Sequence, residues 1–111
     1  MNPFIAQTPE PPYYVVVFTI VPSADLEGYE AMGGKMVELA SQQPGFLGLE
    51  YGASEIELTI SYWDTLEAIS QWRQNAEHTL ARDLGREKWF QAFKVRIAKV
   101  ERDYEFSKSE E

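Results

Sequence analysis

Cysteine is absent from this 111-residue chain, and histidine occurs once, at His78. Without thiols there is no disulfide, no thiolate zinc site and no cysteine nucleophile, and one imidazole cannot build a multi-histidine metal centre. Cationic side chains are also scarce: 10 Lys and Arg against 18 Asp and Glu give a formal net charge of -8. That balance opposes the phosphate attraction on which binding to nucleic acids and anionic membranes depends. No apolar run is long enough to span a bilayer, and "MNPFIAQTPEPPYY" lacks the basic start and apolar block of a signal peptide. The expectation is one cytoplasmic domain with no cofactor, no metal, no nucleic-acid partner and no membrane partner.

Proline is concentrated at one end. Four of the six prolines fall within residues 1–12, which read as an extended N-terminal arm. Residues 13–106 form the domain and 107–111 a solvated acidic tail. "YYVVVFTIV" (13–21) has the β-branched and aromatic content of a strand, closed by Pro22 and Ser23. Leu26, Tyr29, Met32 or Gly33, Met36, Leu39 and Ala40 then recur at intervals of three and four, predicting an amphipathic helix. Its Gly33-Gly34 pair weakens a helix by about 1 kcal/mol per residue relative to Ala, so either a close helix-sheet approach or simple tolerance accounts for it.

"QPGF" suits a type II turn with Pro44 and Gly45 at its centre, and "FLGLEYG" and "EIELTISYW" form a hairpin joined near Gly52-Ala53-Ser54. In its second strand Ile56, Leu58, Ile60 and Tyr62 point one way and Glu57, Thr59, Ser61 and Trp63 the other, the first set being drier. Asp64 with Glu67 resembles a capping box opening a second helix on Leu66, Ile69, Trp72, Ala76 and Leu80, with Gly85 as its stop. A short turn at "REKWFQA" precedes a last strand, "FKVRIAKVERDYEF", whose change of parity suggests a bulge near Ala98-Lys99.

The order β-α-β-β-α-β implies the ferredoxin-like split βαβ, an α+β fold with two helices on one face of a four-stranded antiparallel sheet. Its first strand is central and apolar on both sides, yet the helices cover only one. An uncovered patch of that size points to a two-fold homodimer with the sheets facing each other, in preference to a monomer whose arm and tail hide it.

"QPGFLGLE" followed by "ELTISYWDTLEAISQWRQNAEHTLARDLGREKWFQAFKVRIAKVERDYEF" resembles the antibiotic biosynthesis monooxygenase family of the dimeric α+β barrel superfamily. The resemblance rests on a Trp-Asp before the second helix, a later Trp and His on it, a Gly, another Trp and a final Val-Glu-Arg-x-Tyr strand. It implies a cofactor-independent monooxygenase that brings a small phenol or hydroquinone together with molecular oxygen in a pocket between helices and sheet. The alternative is a dimeric protein of the same fold that binds a small apolar metabolite without chemistry. Haem degradation is disfavoured, because the first strand has no Asn and the position matching the haem-ligating His is Arg82.

Under the oxygenase reading the site needs a base, aromatic walls and donors for an anion. His78 is the candidate base by its intrinsic acidity, and Trp63 the candidate catalytic indole. Trp72, Trp89, Tyr51, Tyr62 and Arg82 are the candidate substrate-binding residues. Packing is the competing role for Trp72 and Trp89. His78 lies about 240° around a regular helix from Trp72, so the two share a face only if the helix breaks near Gln74-Asn75.

Overall fold

The computed structural model describes residues 3–82 and 85–108; the side chains of residues 80–82, 85 and 86 fall outside that description. The elements run β1 (Tyr13–Pro22), α1 (Tyr29–Ser41), β2 (Phe46–Ala53), β3 (Glu57–Trp63), α2 (Leu66–Arg82), α3 (Gly85–Trp89) and β4 (Phe90–Val100). All four strands join one antiparallel sheet in the order β2-β3-β1-β4, the ferredoxin-like arrangement, with the helices on one face.

Register determines what the helices cover. Tyr14, Val16, Phe18 and Ile20 of β1 pair with Trp63, Ser61, Thr59 and Glu57 of β3, so these eight residues share a face. Trp63 on that face is fully buried and forms a core with Ala68 and Ile69 of α2. The helices therefore close over the more polar side of β3. The drier side, carrying Leu58, Ile60 and Tyr62 opposite Thr19, Val17 and Val15, is left open and only partly buried.

Local chemistry explains most element ends. Gly45 takes φ 86, the left-handed value a type II turn demands, and a Cβ there would run into the Asp64 carboxylate and Ala68. α2 is capped by Thr65, whose Oγ1 accepts from the Ala68 N–H at 3.0 Å. The expected box at Asp64 and Glu67 is one residue out of step, because the Asp64 N–H is taken by the Gly45 carbonyl at 2.9 Å. Leu66 is exposed on the first turn and stands outside the core.

Three other expectations change. α2 is continuous through Gln74 and Asn75; the Asn75 side chain caps nothing there and instead donates to Gln43 Oε1 at 3.2 Å. β4 pairs with β1 in unbroken register from Val100 to Ala92 and then ends, so the parity change is the strand's end and there is no bulge at Ala98-Lys99. Finally, a Cβ at Gly33 or Gly34 would meet nothing within 4 Å, so that pair marks open space and not a close approach to the sheet.

Candidate functional site

The open space under α1 is part of a cavity. About 170 Å³ lies between the helices and the sheet, floored by Val16, Phe18, Thr59 and Ser61 and walled by Tyr29, Gly33, Met36, Trp72 and Trp89. Two aromatic groups flank it. At one end Trp63 stacks on Trp72 with ring centroids 6.2 Å apart, and Phe46 meets Trp63 edge-on at 5.4 Å. At the other, Tyr29 packs on Trp89 at 5.7 Å, and Phe90 meets both Tyr29 and Phe18. Past Val16, Phe18 and Trp72 lies a shallower groove of about 450 Å³ between α2 and β4, bordered by the exposed Phe93, Val95 and Ile97.

The polar groups at this cavity are few. Trp63 Nε1 donates to Ser61 Oγ at 2.9 Å, which leaves the Ser61 hydroxyl hydrogen free to donate elsewhere. Trp89 Nε1 donates to the Glu27 carbonyl at 2.8 Å, which fastens α3 to the start of α1. Glu57 follows Thr59 and Ser61 along the same face of β3 and is buried. Its Oε1 accepts from Tyr51 Oη at 2.5 Å, whereas Oε2 is buried without a hydrogen-bond partner. Burial first, and then the adjacent Glu57 carboxylate, push the Tyr29 phenol well above its ordinary pKa. Tyr51 is also raised, chiefly by its hydrogen bond to Glu57.

The other side of the sheet carries a second polar group. Tyr62 Oη donates to Glu50 Oε1 at 2.6 Å, the Ala6 N–H donates to Glu50 Oε2 at 3.0 Å, and Tyr13 Oη donates to Asp103 Oδ2 at 2.5 Å. The N-terminal arm therefore crosses one end of the open face, with Ala6 pressed against Gly48.

The structure brings some of the sequence-expected residues together and separates others. Trp72 and Trp89 line the cavity, and Trp63 backs it through Trp72 and Ser61. Tyr51 is largely exposed, and its hydroxyl turns in to Glu57. Tyr62 stands on the opposite face of the sheet. His78 is exposed on α2 and does not line the cavity, as the unbroken helix requires. Arg82 is the last residue of α2, and its side chain lies outside the described residues.

Tyr29, Ser61 and Glu57 escaped the sequence reading. The available signal was Glu57 alternating with Thr59, Ser61 and Trp63, a carboxylate on the same strand face as the largest buried side chain. Among the described residues no group of three or more His, Cys, Asp and Glu side chains is arranged to hold a metal ion. None of the helices is long and apolar enough to cross a membrane.

Known proteins of similar sequence and shape agree with this architecture. Uncharacterized protein YqjZ of Bacillus subtilis (strain 168) is 44% identical over 111 residues, covering 98% of this chain and 97% of that one. Protein PA3566 of Pseudomonas aeruginosa superposes with a TM-score of 0.64 at 21% identity, covering 86% of this chain and 99% of that one. Protein SO0527 of Shewanella oneidensis gives 0.67 at 12% identity, covering 86% and 97%. At those identities the two structures speak for the fold alone. The family model for antibiotic biosynthesis monooxygenase matches residues 12–84, taking in β1, both strands of the hairpin and all of α1 and α2, and so this chain belongs to the antibiotic biosynthesis monooxygenase family.

Proposed function

We propose that the chain binds a small phenol- or hydroquinone-type ring in the cavity between helices and sheet and supports its reaction with molecular oxygen. The observation that carries this reading is the cavity's lining: indole and phenol rings at both ends, aliphatic walls, and a handful of hydroxyl groups. Its size suits one ring, since an apolar cavity of roughly 150 Å³ is enough for benzene. A longer substituent has room in the groove beside β4. In such a reaction the substrate supplies the electrons: a phenol and one O2 give a quinone and one water, with one oxygen atom entering the ring. The protein's part is to hold the ring, exclude water and stabilise developing charge, for which the Ser61 and Thr59 hydroxyls are placed on the cavity floor.

A homodimer completes this reading. The helix-free face presents Val15, Val17, Leu58 and Ile60 in adjacent positions of the two central strands, and an isologous pairing of two such faces covers them most economically. The arm covers only the end near Gly48 and Glu50.

One observation favours the second reading, a protein of this fold that binds a ring without chemistry. The imidazole that would serve as base is exposed on the outside of α2. Oxygen uptake with a panel of hydroquinones and substituted phenols separates the two. The oxygenase reading expects turnover that falls at least tenfold in Trp72→Ala and is unchanged in His78→Ala. Ring binding without oxygen uptake for every compound sinks it and leaves the binding reading.

A further inference from the structure

Glu57 is the one ionisable side chain of β3 turned under the helices. It is 8% exposed, on the same strand face as Thr59 and Ser61, and its strand partner Ile20 lines the cavity as they do. The carboxylate is faced by Tyr29 from α1, by Tyr51 from β2 and by the uncharged Ile20 from β1. Tyr51 occupies Oε1 from the exposed side of the protein, while Oε2 is sealed from solvent and accepts nothing. Buried carboxylate oxygens are normally satisfied, so an open acceptor beside a ligand-sized cavity asks for a donor. The side chain between that acceptor and the cavity is Tyr29, whose hydroxyl lies against the same carboxylate while its ring lines the wall.

We propose that Tyr29 and Glu57 form a donor-demanding subsite, in which a hydroxyl on the bound ring donates to Tyr29 Oη while Tyr29 donates to Glu57. This rests on the reading of the cavity as a ring-binding site and adds what the ring must carry. With its proton committed to the carboxylate, Tyr29 presents only lone pairs to the ligand. The elevated pKa of Tyr29 keeps that proton in place at neutral pH, and the carboxylate polarises the phenol oxygen into a better acceptor. An aryl methyl ether has no hydrogen to give, and a phenolate is both donorless and repelled by the Glu57 charge. The subsite therefore selects neutral phenols, hydroquinones and anilines over ethers and anions of equal shape. Glu57 does not touch the ring in this arrangement; it is a positioning residue acting through Tyr29.

Calorimetric titration of the full chain with phenol and with anisole tests this without any need for turnover. Phenol is expected to bind about tenfold more tightly than anisole, the discrimination expected of one hydrogen bond to a charge-coupled acceptor. In Tyr29→Phe and in Glu57→Gln the preference should collapse to less than threefold, by loss of phenol affinity with anisole affinity retained. Two variants on different elements, and the two-ligand comparison in the unaltered protein, keep the outcome readable if one variant folds poorly. Equal binding of phenol and anisole by the unaltered protein overturns the subsite and leaves the ring-binding cavity standing. Failure of both ligands to bind overturns the cavity reading and the subsite with it.

Discussion

Trp63 offers the sharpest test of how the site is built. Its side chain is fully buried, meets Phe46 edge-on, stacks on the cavity wall residue Trp72 and donates its N–H to a buried Ser61 hydroxyl. Truncation to Ala removes all of this at once. Buried Trp→Ala changes cost about 3–5 kcal/mol, and the two ring contacts and the hydrogen bond to Ser61 place this one toward the upper end, near ~4 kcal/mol. Trp63→Phe keeps an aromatic ring against Phe46 and Trp72 and loses chiefly the N–H donor and some volume, for about 1–2 kcal/mol. The assay is equilibrium urea unfolding at one fixed protein concentration, since association would shift apparent stability. A loss below ~2 kcal/mol for the Ala variant would mean that the Trp63 and Trp72 stack is not the keel of the domain. A Phe variant as damaged as the Ala variant would mean that the indole N–H, and not ring packing, dominates.

Gly45→Ala should cost at least ~1–2 kcal/mol in the same unfolding assay, because a left-handed φ of 86 is unfavourable for Ala and the new methyl collides with Asp64 and Ala68. Gly33→Ala should go the other way, gaining about 0.5–1 kcal/mol from helix propensity, since its Cβ meets nothing within 4 Å. Gly33→Leu, reaching into the cavity from α1, is expected to leave the fold intact and weaken binding of a phenol ring more than tenfold by calorimetry. Alkaline stability reports on the tyrosines. Tyr29 and Tyr62 both have folded pKa values raised above the unfolded value near ~10, burial being the larger cause in each. The unfolded chain therefore ionises first, so the stabilisation is complete below pH ~10 and is lost as pH rises above it, at up to ~1.4 kcal/mol per pH unit for each. Tyr29→Phe and Tyr62→Phe should each flatten that decline. The largely exposed Tyr51 should contribute much less because solvent screens it.

Local pattern made the frame legible. The β-branched run of β1, the three-and-four spacing of α1, the Pro44-Gly45 turn and the alternation of β3 are each decided within a few residues, and each appears where those rules put it. The functional side chains depend on a choice that no local rule makes. The central strand β1 is apolar on both sides, so hydropathy does not tell which side the helices take. They take the side on which β3 carries Glu57, Thr59, Ser61 and Trp63, and this brings a carboxylate to the cavity and leaves Tyr62 outside. The position of His78 turned on helix continuity. Nothing in "QNAE" stops an α-helix, and without a break the 240° offset from Trp72 carries the imidazole to the exposed side. Trp63 shows the opposite case, where the strand period alone correctly put it with Ser61 and against Tyr62.

The most direct measurement is a crystal structure of the protein grown or soaked with hydroquinone under nitrogen, so that the ring is held and not consumed. The account expects ring density between Trp72 and Trp89, with one hydroxyl on Tyr29 Oη. Density for an ordered ring anywhere else, or a cavity that stays filled by repacked side chains at saturating ligand, would contradict it.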